Sequence, residues 1–332
     1  MSRTDRSSAV ERALELAQSG SVSTAYEILT RAEAENDRLA ALALAEWRLT
    51  GALIRRDLGE ARRLFGRASS LGIDHAGLAY IALLANGAGG CGRDWAGALE
   101  QLTMRAKRDP LARKQIDLIV AVNLDEEGNP ANSANRSALC TSPVVECLPG
   151  VLTQAECDYL IHLAAPRLQP AVVVHPITGE IIYDPIRTGQ SAAFPLIRED
   201  PVVHMINRRI AAATGTIWEQ GEPLQVLSYE PNEEYKLHSD ALPFGQNQRN
   251  KTLLVALNAD YTGGETSFPR LGINWRGRVG DGLYFANVDG SGNPEKKVWH
   301  AGLPILSGRK LLLSKWLREI PLDLTGPPGR PF

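Results

Sequence analysis

Residues 224–242, LQVLSYEPNEEYKLHSDAL, decide the fold of the second half of the chain. The run LQVLSY is apolar and aromatic and is followed by turn-forming residues, a pattern typical of a β-strand and its turn. His238 and Asp240 stand two residues apart, and on a strand such side chains point to the same face. The spacing therefore predicts that an imidazole nitrogen and a carboxylate oxygen can meet one metal ion.

The same texture extends over residues 144–322, where short β-branched or aromatic runs alternate with turn signals. These runs include AVVVHP, TLLVALN and GLYFANV. A helix is predicted ahead of them, with Thr153 as its N-cap and an apolar run over residues 154–165. We therefore expect a β-sandwich or barrel with flanking helices, followed by a tail over residues 323–332.

Residues 1–120 have a different character, because Ala, Leu, Arg and Glu dominate and apolar residues recur at helical spacing. The segment also repeats itself, since Gly51 and Gly87 lie 36 residues apart and each closes a helix-like run. The same offset relates Ala25-Tyr26-Glu27 to Ala61-Arg62-Arg63. Such a period is typical of a helix-turn-helix solenoid, and the alternative is an ordinary Ala-rich helical bundle.

A polar stretch separates the two halves. Residues 121–143, AVNLDEEGNPANSANRSALCTSP, are rich in Asn, Ser, Gly and Pro. That composition predicts a linker between an N-terminal helical domain and a C-terminal β domain.

The overall composition restricts the class of protein. The 332 residues are 44% hydrophobic with a formal net charge of -2, so no positive field favours nucleic acid or an anionic membrane. The start, MSRTDRSSAVER, lacks the apolar core of a signal peptide, and no apolar run approaches a membrane span. The charge and the lack of a long apolar run predict no nucleic-acid or membrane partner. No Cys-x-x-Cys pair occurs, and we expect a reduced, cytoplasmic setting. The four cysteines are Cys91, Cys140, Cys147 and Cys157.

A second histidine completes a candidate metal site. His300 lies 60 residues beyond Asp240. Two neutral imidazoles and one carboxylate form the facial triad of non-haem iron(II) oxygenases, which leaves positions open for a bidentate 2-oxo acid and dioxygen. Lys310 follows in an apolar run, where an unpaired ammonium is costly and a charged ligand group would relieve the cost. A surface lysine that packs its stem on apolar side chains is the alternative.

Together these residues resemble the prolyl 4-hydroxylase-like branch of the 2-oxoglutarate/iron(II)-dependent dioxygenases, over roughly residues 144–320. The family pattern is matched in order by Glu222, Gln225, Tyr229, Tyr235, His238-Ser239-Asp240, Arg249, Thr252, Gly263-Gly264-Glu265-Thr266-Ser267-Phe268, Gly280-Asp281-Gly282-Leu283-Tyr284-Phe285, His300-Ala301-Gly302-Leu303-Pro304-Ile305, Gly308-Arg309-Lys310 and Trp316. Upstream, Arg187-Thr188-Gly189 resembles the family's Arg-Thr-Ser element. Residues 38–112 resemble Sel1-like repeats, which are related to tetratricopeptide repeats.

The resemblance implies an α+β multidomain protein, in which a helical repeat solenoid precedes a double-stranded β-helix (jelly-roll) catalytic domain with flanking helices. It makes His238, Asp240 and His300 the iron ligands and Lys310 the partner of the distal carboxylate of 2-oxoglutarate. The other cofactor-binding residues that it implies are Tyr229, Thr266 and Trp316, and the substrate-side candidates are Tyr235 and Arg249. The implied reaction uses Fe(II), 2-oxoglutarate and O2, with ascorbate as a reductant.

The substrate stays open at this point. The loop over residues 241–249 is short, and it borders the substrate entrance in this family. Hydroxylation of a peptidyl residue, with proline favoured by the family, is the first choice. A free amino acid or another small molecule is one alternative, and a non-catalytic binding module on a repeat scaffold is another. Because solenoids present extended concave surfaces, we expect the repeats to recruit a protein or peptide substrate.

Overall fold

A computed structural model describes residues 8–90, 92–130, 135–174, 181–183, 186–243 and 246–322. The tail predicted over 323–332 and Cys91 lie outside these residues. The chain divides into two compact units. One unit holds the described residues up to Ile119 together with Leu196–His204, and the other holds Val120–Pro195 and Met205–Leu322.

The described residues between 8 and 120 are mainly helical, as the sequence predicts. The helices in the described part are α1 Ala9–Gln18, α2 Val22–Ala34, α3 Arg38–Thr50, α4 Leu58–Ser70, α5 Asp74–Asn86, α6 Trp95–Ala106 and α7 Pro110–Val120. Asp57 and Asp94 cap α4 and α6, because their side chains accept hydrogen bonds from backbone N–H groups in the first turn. Gly51 and Gly87 end α3 and α5 with φ of 67°, a left-handed conformation that glycine adopts at little cost.

The second half of the chain is mainly antiparallel β-structure, as predicted. Its strands are β1 Ser137–Thr141, β2 Val144–Leu148, β3 Gln169–Pro170, β4 Val173–Val174, β5 Ile181–Ile182, β6 Gln190–Phe194, β7 Leu224–Tyr229, β8 Tyr235–His238, β9 Arg249–Ala256, β10 Tyr261–Gly263, β11 Thr266–Phe268, β12 Ile273–Trp275, β13 Gly282–Ala286, β14 His300–Gly302, β15 Ile305–Gly308 and β16 Lys310–Arg318. Two helices, α8 Gln154–Ala164 and α9 Pro201–Thr214, interrupt the strands. Thr153 is the N-cap of α8 and forms a capping box with Glu156.

Two sheets of unequal size carry the β core. The larger has eight strands in the order β1-β2-β13-β9-β16-β7-β6-β3, and the smaller has the order β12-β11-β14-β8. One buried apolar cluster draws on both sheets, with members that include Leu227, Leu254 and Leu312 from the larger and Phe268 from the smaller. Because side chains alternate along a strand, one face of each sheet meets this cluster, and the candidate site lies on that same side.

Part of the segment predicted as a linker forms a β-strand in the structure. Strand β1, Ser137–Thr141, falls within residues 121–143 and pairs with β2. The segment SALCT carries little apolar periodicity, and its strand conformation depends on the hydrogen bonds that β2 supplies. Among the described residues, no helix combines the length and the apolar character that a bilayer-crossing segment needs.

Candidate active site

Two strands of the smaller sheet bring the predicted metal ligands together. His238 ends β8, and β14 begins at His300, which pairs with His238 across the sheet. Asp240 lies two residues beyond the end of β8, not within one strand as expected. The candidate ligand atoms of the three residues lie within 4.8 Å of one another. His238 Nε2 is 3.6 Å from Asp240 Oδ1, and His300 Nε2 is 3.8 Å from Asp240 Oδ2.

Hydrogen bonds set the tautomer of both histidines. Nδ1 of His238 lies 2.8 Å from the carbonyl oxygen of Lys236, and Nδ1 of His300 lies 3.1 Å from that of Val298. A carbonyl can only accept, so each Nδ1 carries the hydrogen. In a neutral imidazole with this tautomer the lone pair is on Nε2, the atom that faces Asp240 and that a metal ion would bind.

Aromatic rings hold the two imidazoles in place. The Tyr235 ring stacks on His238, with centroids 3.5 Å apart and an angle of 11° between the planes. Phe268 and Phe285 lie beside His300, with centroid distances of 5.4 Å and 4.7 Å. These contacts restrict rotation of the rings, so the nitrogen atoms stay directed at the site.

Burial and mutual charge adjust the protonation of the triad. Burial, together with the neighbouring His238, lowers the pKa of His300 to about 4. Burial acts to raise the pKa of Asp240, but the interactions of its carboxylate with His238, His300 and the Thr252 hydroxyl outweigh burial and hold that pKa well below its usual value. At neutral pH His300 is neutral and Asp240 is ionised. Two imidazole nitrogens and a carboxylate oxygen in this state fit a divalent iron ion.

Lys310 and its neighbours form the second part of the site. Lys310 begins β16, is 4% exposed, and donates a hydrogen bond of 2.6 Å from Nζ to the carbonyl oxygen of Gly264. Burial lowers the pKa of its ammonium to about 8. Tyr229 is the partner of Lys310 in the register of β7 and β16. Buried Thr266, on β11, also reaches this region, so two sheets contribute to it.

One pocket contains almost all of the predicted site residues. Its lining in the described part of the chain is Arg187, Leu227, Tyr229, Tyr235, His238, Asp240, Leu254, Thr266, His300, Gly302, Lys310, Leu312, Ser314 and Trp316. The pocket thus combines the triad, the buried side chains of Lys310 and Arg187, hydroxyl groups and an apolar wall. Small-molecule sites in proteins commonly have this composition.

Arg249, expected on the substrate side, is absent from that lining. Its Nε and Nη2 donate to the two carboxylate oxygens of Glu222 at 2.6 Å and 2.8 Å. Its guanidinium carbon lies 3.8 Å from the ring centroid of Trp316. Arg318 also donates to Glu222. Arg249 therefore supports Trp316, which lines the pocket, and its charge is neutralised by a carboxylate that the sequence analysis assigned no role.

Three other residues near the triad, Arg187, Thr252 and Asn287, had no role predicted from the sequence. Arg187 is buried, lines the pocket, and has its guanidinium carbon 5.1 Å from the ring centroid of Tyr235. The Thr252 hydroxyl donates a hydrogen bond to Asp240, and the Asn287 amide donates one to Thr252. Thr252 and Arg187 each match a position of the family's sequence pattern. The burial and the bonding partners of their side chains depend on strand pairing, which no local sequence pattern reveals.

Comparisons with known proteins agree with this geometry. The family model described as the 2OG-Fe(II) oxygenase superfamily matches residues 224–318. Prolyl 4-hydroxylase 1 of Arabidopsis thaliana is 34% identical over 197 residues, which cover 54% of this chain and 70% of that protein. Prolyl 4-hydroxylase subunit alpha-1 of Homo sapiens is 32% identical over 178 residues, covering 51% of this chain and 33% of that protein.

A solved structure is also similar to this chain. A viral collagen prolyl hydroxylase from Paramecium Bursaria Chlorella virus-1, in complex with 2-oxoglutarate, is 26% identical with a TM-score of 0.44. The match covers 55% of this chain and 100% of the viral chain. The chain has the triad and a relative of 34% identity that is matched over 70% of its length, and it therefore belongs to the prolyl 4-hydroxylase branch of the 2OG-Fe(II) oxygenase superfamily.

Proposed function

We propose that this enzyme hydroxylates a C–H bond of a peptidyl residue, with proline favoured, and releases succinate and CO2 from 2-oxoglutarate. One observation carries the proposal: the His238–Asp240–His300 triad and the buried cation of Lys310 line the same pocket. A metal triad alone is compatible with many chemistries. A buried ammonium beside it supplies the counter-charge that a dicarboxylate cosubstrate needs.

Each part of the pocket has a task in this proposal. His238, Asp240 and His300 hold Fe(II), which supplies oxygen activation when it is bound. Lys310, with Tyr229 and Thr266, binds the distal carboxylate of 2-oxoglutarate by charge-assisted hydrogen bonds. Apolar side chains of the wall, such as Leu227, Leu254 and Leu312, exclude water from the reacting atoms.

Peptidyl proline is favoured because Prolyl 4-hydroxylase 1 and Probable prolyl 4-hydroxylase 4 of Arabidopsis thaliana match 54% and 58% of this chain. A free amino acid or another small molecule remains the alternative substrate. A non-catalytic binding module is disfavoured, since that role would not require two imidazoles, a carboxylate and a buried lysine in one pocket.

We also propose that residues 1–120 are a Sel1-like repeat solenoid and that residues 144–322 form a jelly roll. Helices α3, α5 and α7 begin at residues 38, 74 and 110, at a constant offset of 36. Ala40, Ala76 and Ala112 occupy the same position in these helices, and all three are buried. Small residues at one repeated position let neighbouring helices pack closely. The two antiparallel sheets and their common core support the jelly roll.

The repeats are proposed to recruit a protein or peptide substrate. A groove of about 870 Å³ lies along α4, α5 and α6, with Ser70, Tyr80 and Met104 among its lining residues. Met104 is half exposed, and Gly66 approaches the Tyr80 ring so closely that a Cβ there would lie 2.9 Å from it. A groove of this size, with apolar and polar walls, suits an extended peptide segment. A second binding site would raise the local substrate concentration.

Two smaller assignments complete the proposal. A reduced, cytoplasmic setting is supported by the free thiols of Cys140, Cys147 and Cys157. Ascorbate as a reductant follows from the family resemblance alone.

The function is tested by turnover. The protein is purified without oxygen, loaded with Fe(II) and 2-oxoglutarate, and exposed to air with pools of proline-containing peptides, matched pools in which alanine replaces proline, and free amino acids. Succinate release and a one-oxygen mass gain should occur together in the proline pools and be absent with His238→Ala. Mass gain in free amino acids alone would establish the alternative substrate, and no succinate from any pool would overturn the proposal.

A further inference from the structure

A chain of hydrogen bonds leads away from the metal-binding triad into the larger sheet. Thr252 Oγ1 donates to Asp240 Oδ2 at 2.7 Å, and Asn287 Nδ2 donates to Thr252 Oγ1 at 2.9 Å. Thr252 is 0% exposed and Asn287 is 1% exposed. Hydrogen bonds in such surroundings are not exchanged for bonds to water, so this chain constrains the Asp240 carboxylate persistently.

The direction of the chain follows from the donors available. A carboxylate can only accept, and a threonine hydroxyl has a single hydrogen. Because Asp240 takes that hydrogen, Thr252 has none to offer to Asn287. Asn287 must therefore present its NH2 group to Thr252, not its carbonyl oxygen, which fixes the orientation of the amide.

Rigid backbone holds both residues. Thr252 lies on β9 near the middle of the eight-stranded sheet, opposite Phe285 on one neighbouring strand and Trp316 on the other. The backbone N–H of Asn287 donates to the carbonyl oxygen of Asn250 at 2.8 Å, and its own carbonyl accepts from Glu295 at 2.9 Å. Groups that support a ligand are most effective when they stand on elements that cannot shift.

We propose that Thr252 and Asn287 are positioning residues: the hydrogen bond from Thr252 to Oδ2, which Asn287 supports, fixes the orientation of the Asp240 carboxylate toward the metal ion. The inference rests on the proposed iron site and goes beyond it, because it assigns the orientation of one ligand to two residues that do not touch the metal. Outer partners of this kind typically change metal affinity ten- to a hundredfold when they are removed.

Co(II) is the probe, because its visible absorption reports the ligand set and its affinity is obtained by direct titration without oxygen. Thr252→Val keeps the branched shape and removes the hydroxyl; we expect Co(II) affinity to fall by about ten- to a hundredfold, with a changed spectrum. Thr252→Ser restores the hydroxyl and should lie within about threefold of the wild type. Asn287→Ala leaves the Thr252 hydroxyl in place but free to rotate, and should weaken binding by about three- to tenfold.

Thr214→Val is the matched control, because Thr214 is also buried and its hydroxyl bonds to the Ile210 carbonyl, away from the triad. It should leave Co(II) affinity and spectrum unchanged. The proposal is overturned if Thr252→Val binds Co(II) like the wild type, or if Thr252→Ser is as weak as Thr252→Val, since packing would then be the cause. Should Thr252→Val not fold, Asn287→Ala decides, and wild-type affinity in that variant overturns the proposal.

The proposed metal site is tested in the same titration by His238→Ala. Unchanged Co(II) binding in this variant would remove the site itself. Loss of binding in His238→Ala together with wild-type behaviour of Thr252→Val would refute the positioning role and leave the site intact.

Discussion

The affinity for 2-oxoglutarate should fall as the pH rises above about 8, because burial lowers the pKa of Lys310 to about 8 in the free enzyme. The ammonium form attracts the distal carboxylate of the cosubstrate, and the neutral amine does not. Below pH 8 the ammonium is already present, so the affinity is flat. Above pH 8 each binding event must also take up a proton, since the bound carboxylate raises the pKa of Lys310 again.

The size of the effect follows from the protonated fraction. With a pKa of about 8, roughly ten-elevenths of the lysine is protonated at pH 7 and roughly one-eleventh at pH 9. The dissociation constant of 2-oxoglutarate should therefore rise about tenfold between these pH values, equivalent to about 1.4 kcal/mol. An exposed lysine with an ordinary pKa near 10.4 would give almost no change over the same range.

Titration calorimetry of the Mn(II)-loaded enzyme without oxygen measures this constant from pH 7 to pH 9. Two buffers of different ionisation enthalpy count the protons that are taken up. Lys310→Arg is the control, because a guanidinium keeps its proton above pH 12; its binding should be weaker at pH 7 but independent of pH. A flat profile in the wild type, or an unchanged slope in Lys310→Arg, would refute the assignment of the pH dependence to Lys310.

Three further outcomes are expected. His238→Ala and His300→Ala should each abolish stable Fe(II) binding with little loss of helical circular dichroism, because each removes one of three ligands; iron content after anaerobic reconstitution checks this, and wild-type iron content in both would exclude the triad. Glu222→Gln should lower the free energy of unfolding, measured in urea, by about 3 kcal/mol, because the largely buried guanidinium groups of Arg249 and Arg318 lose their counter-charge. A change below about 1 kcal/mol would contradict that reasoning. Ser70→Trp should fill the helical groove and raise KM for a protein substrate by about tenfold, with KM for a short peptide unchanged. Thr50→Trp, at an exposed position outside the groove, should change neither KM value. The same KM for the protein substrate in the wild type and both variants would argue against recruitment by the groove.

Local patterns were sufficient for much of the architecture. Helix periodicity, capping residues and turn glycines act over a few residues, so the helices of the first half and the capped helix after Thr153 follow from the sequence. The strand-like runs around residues 224–242 predict the antiparallel half in the same way. His238, Asp240 and His300 could be singled out because their residue types and spacing suit one metal ion, even though His300 is distant along the chain.

Tertiary structure decided the features that depend on pairing between distant segments. Strand β1 forms inside a polar stretch because β2 offers its backbone partners, and no apolar pattern marks it in advance. Arg249 lies against Glu222 and Trp316 because the segment before β7 and strands β9 and β16 meet there. The hydrogen bond from Thr252 to Asp240 likewise requires the fold to place strand β9 beside the segment that follows β8, with the two oxygen atoms 2.7 Å apart.

The difference has one physical reason. Periodicity and capping express interactions between residues that are close in sequence, and these are present in any fold that contains the segment. The partners of a buried charge or hydroxyl are chosen by strand register, and a shift of one residue would turn every side chain of that strand to the other face. The sequence by itself therefore determined which residues could bind iron and a dicarboxylate, while only the folded sheets decided which residues hold them in place.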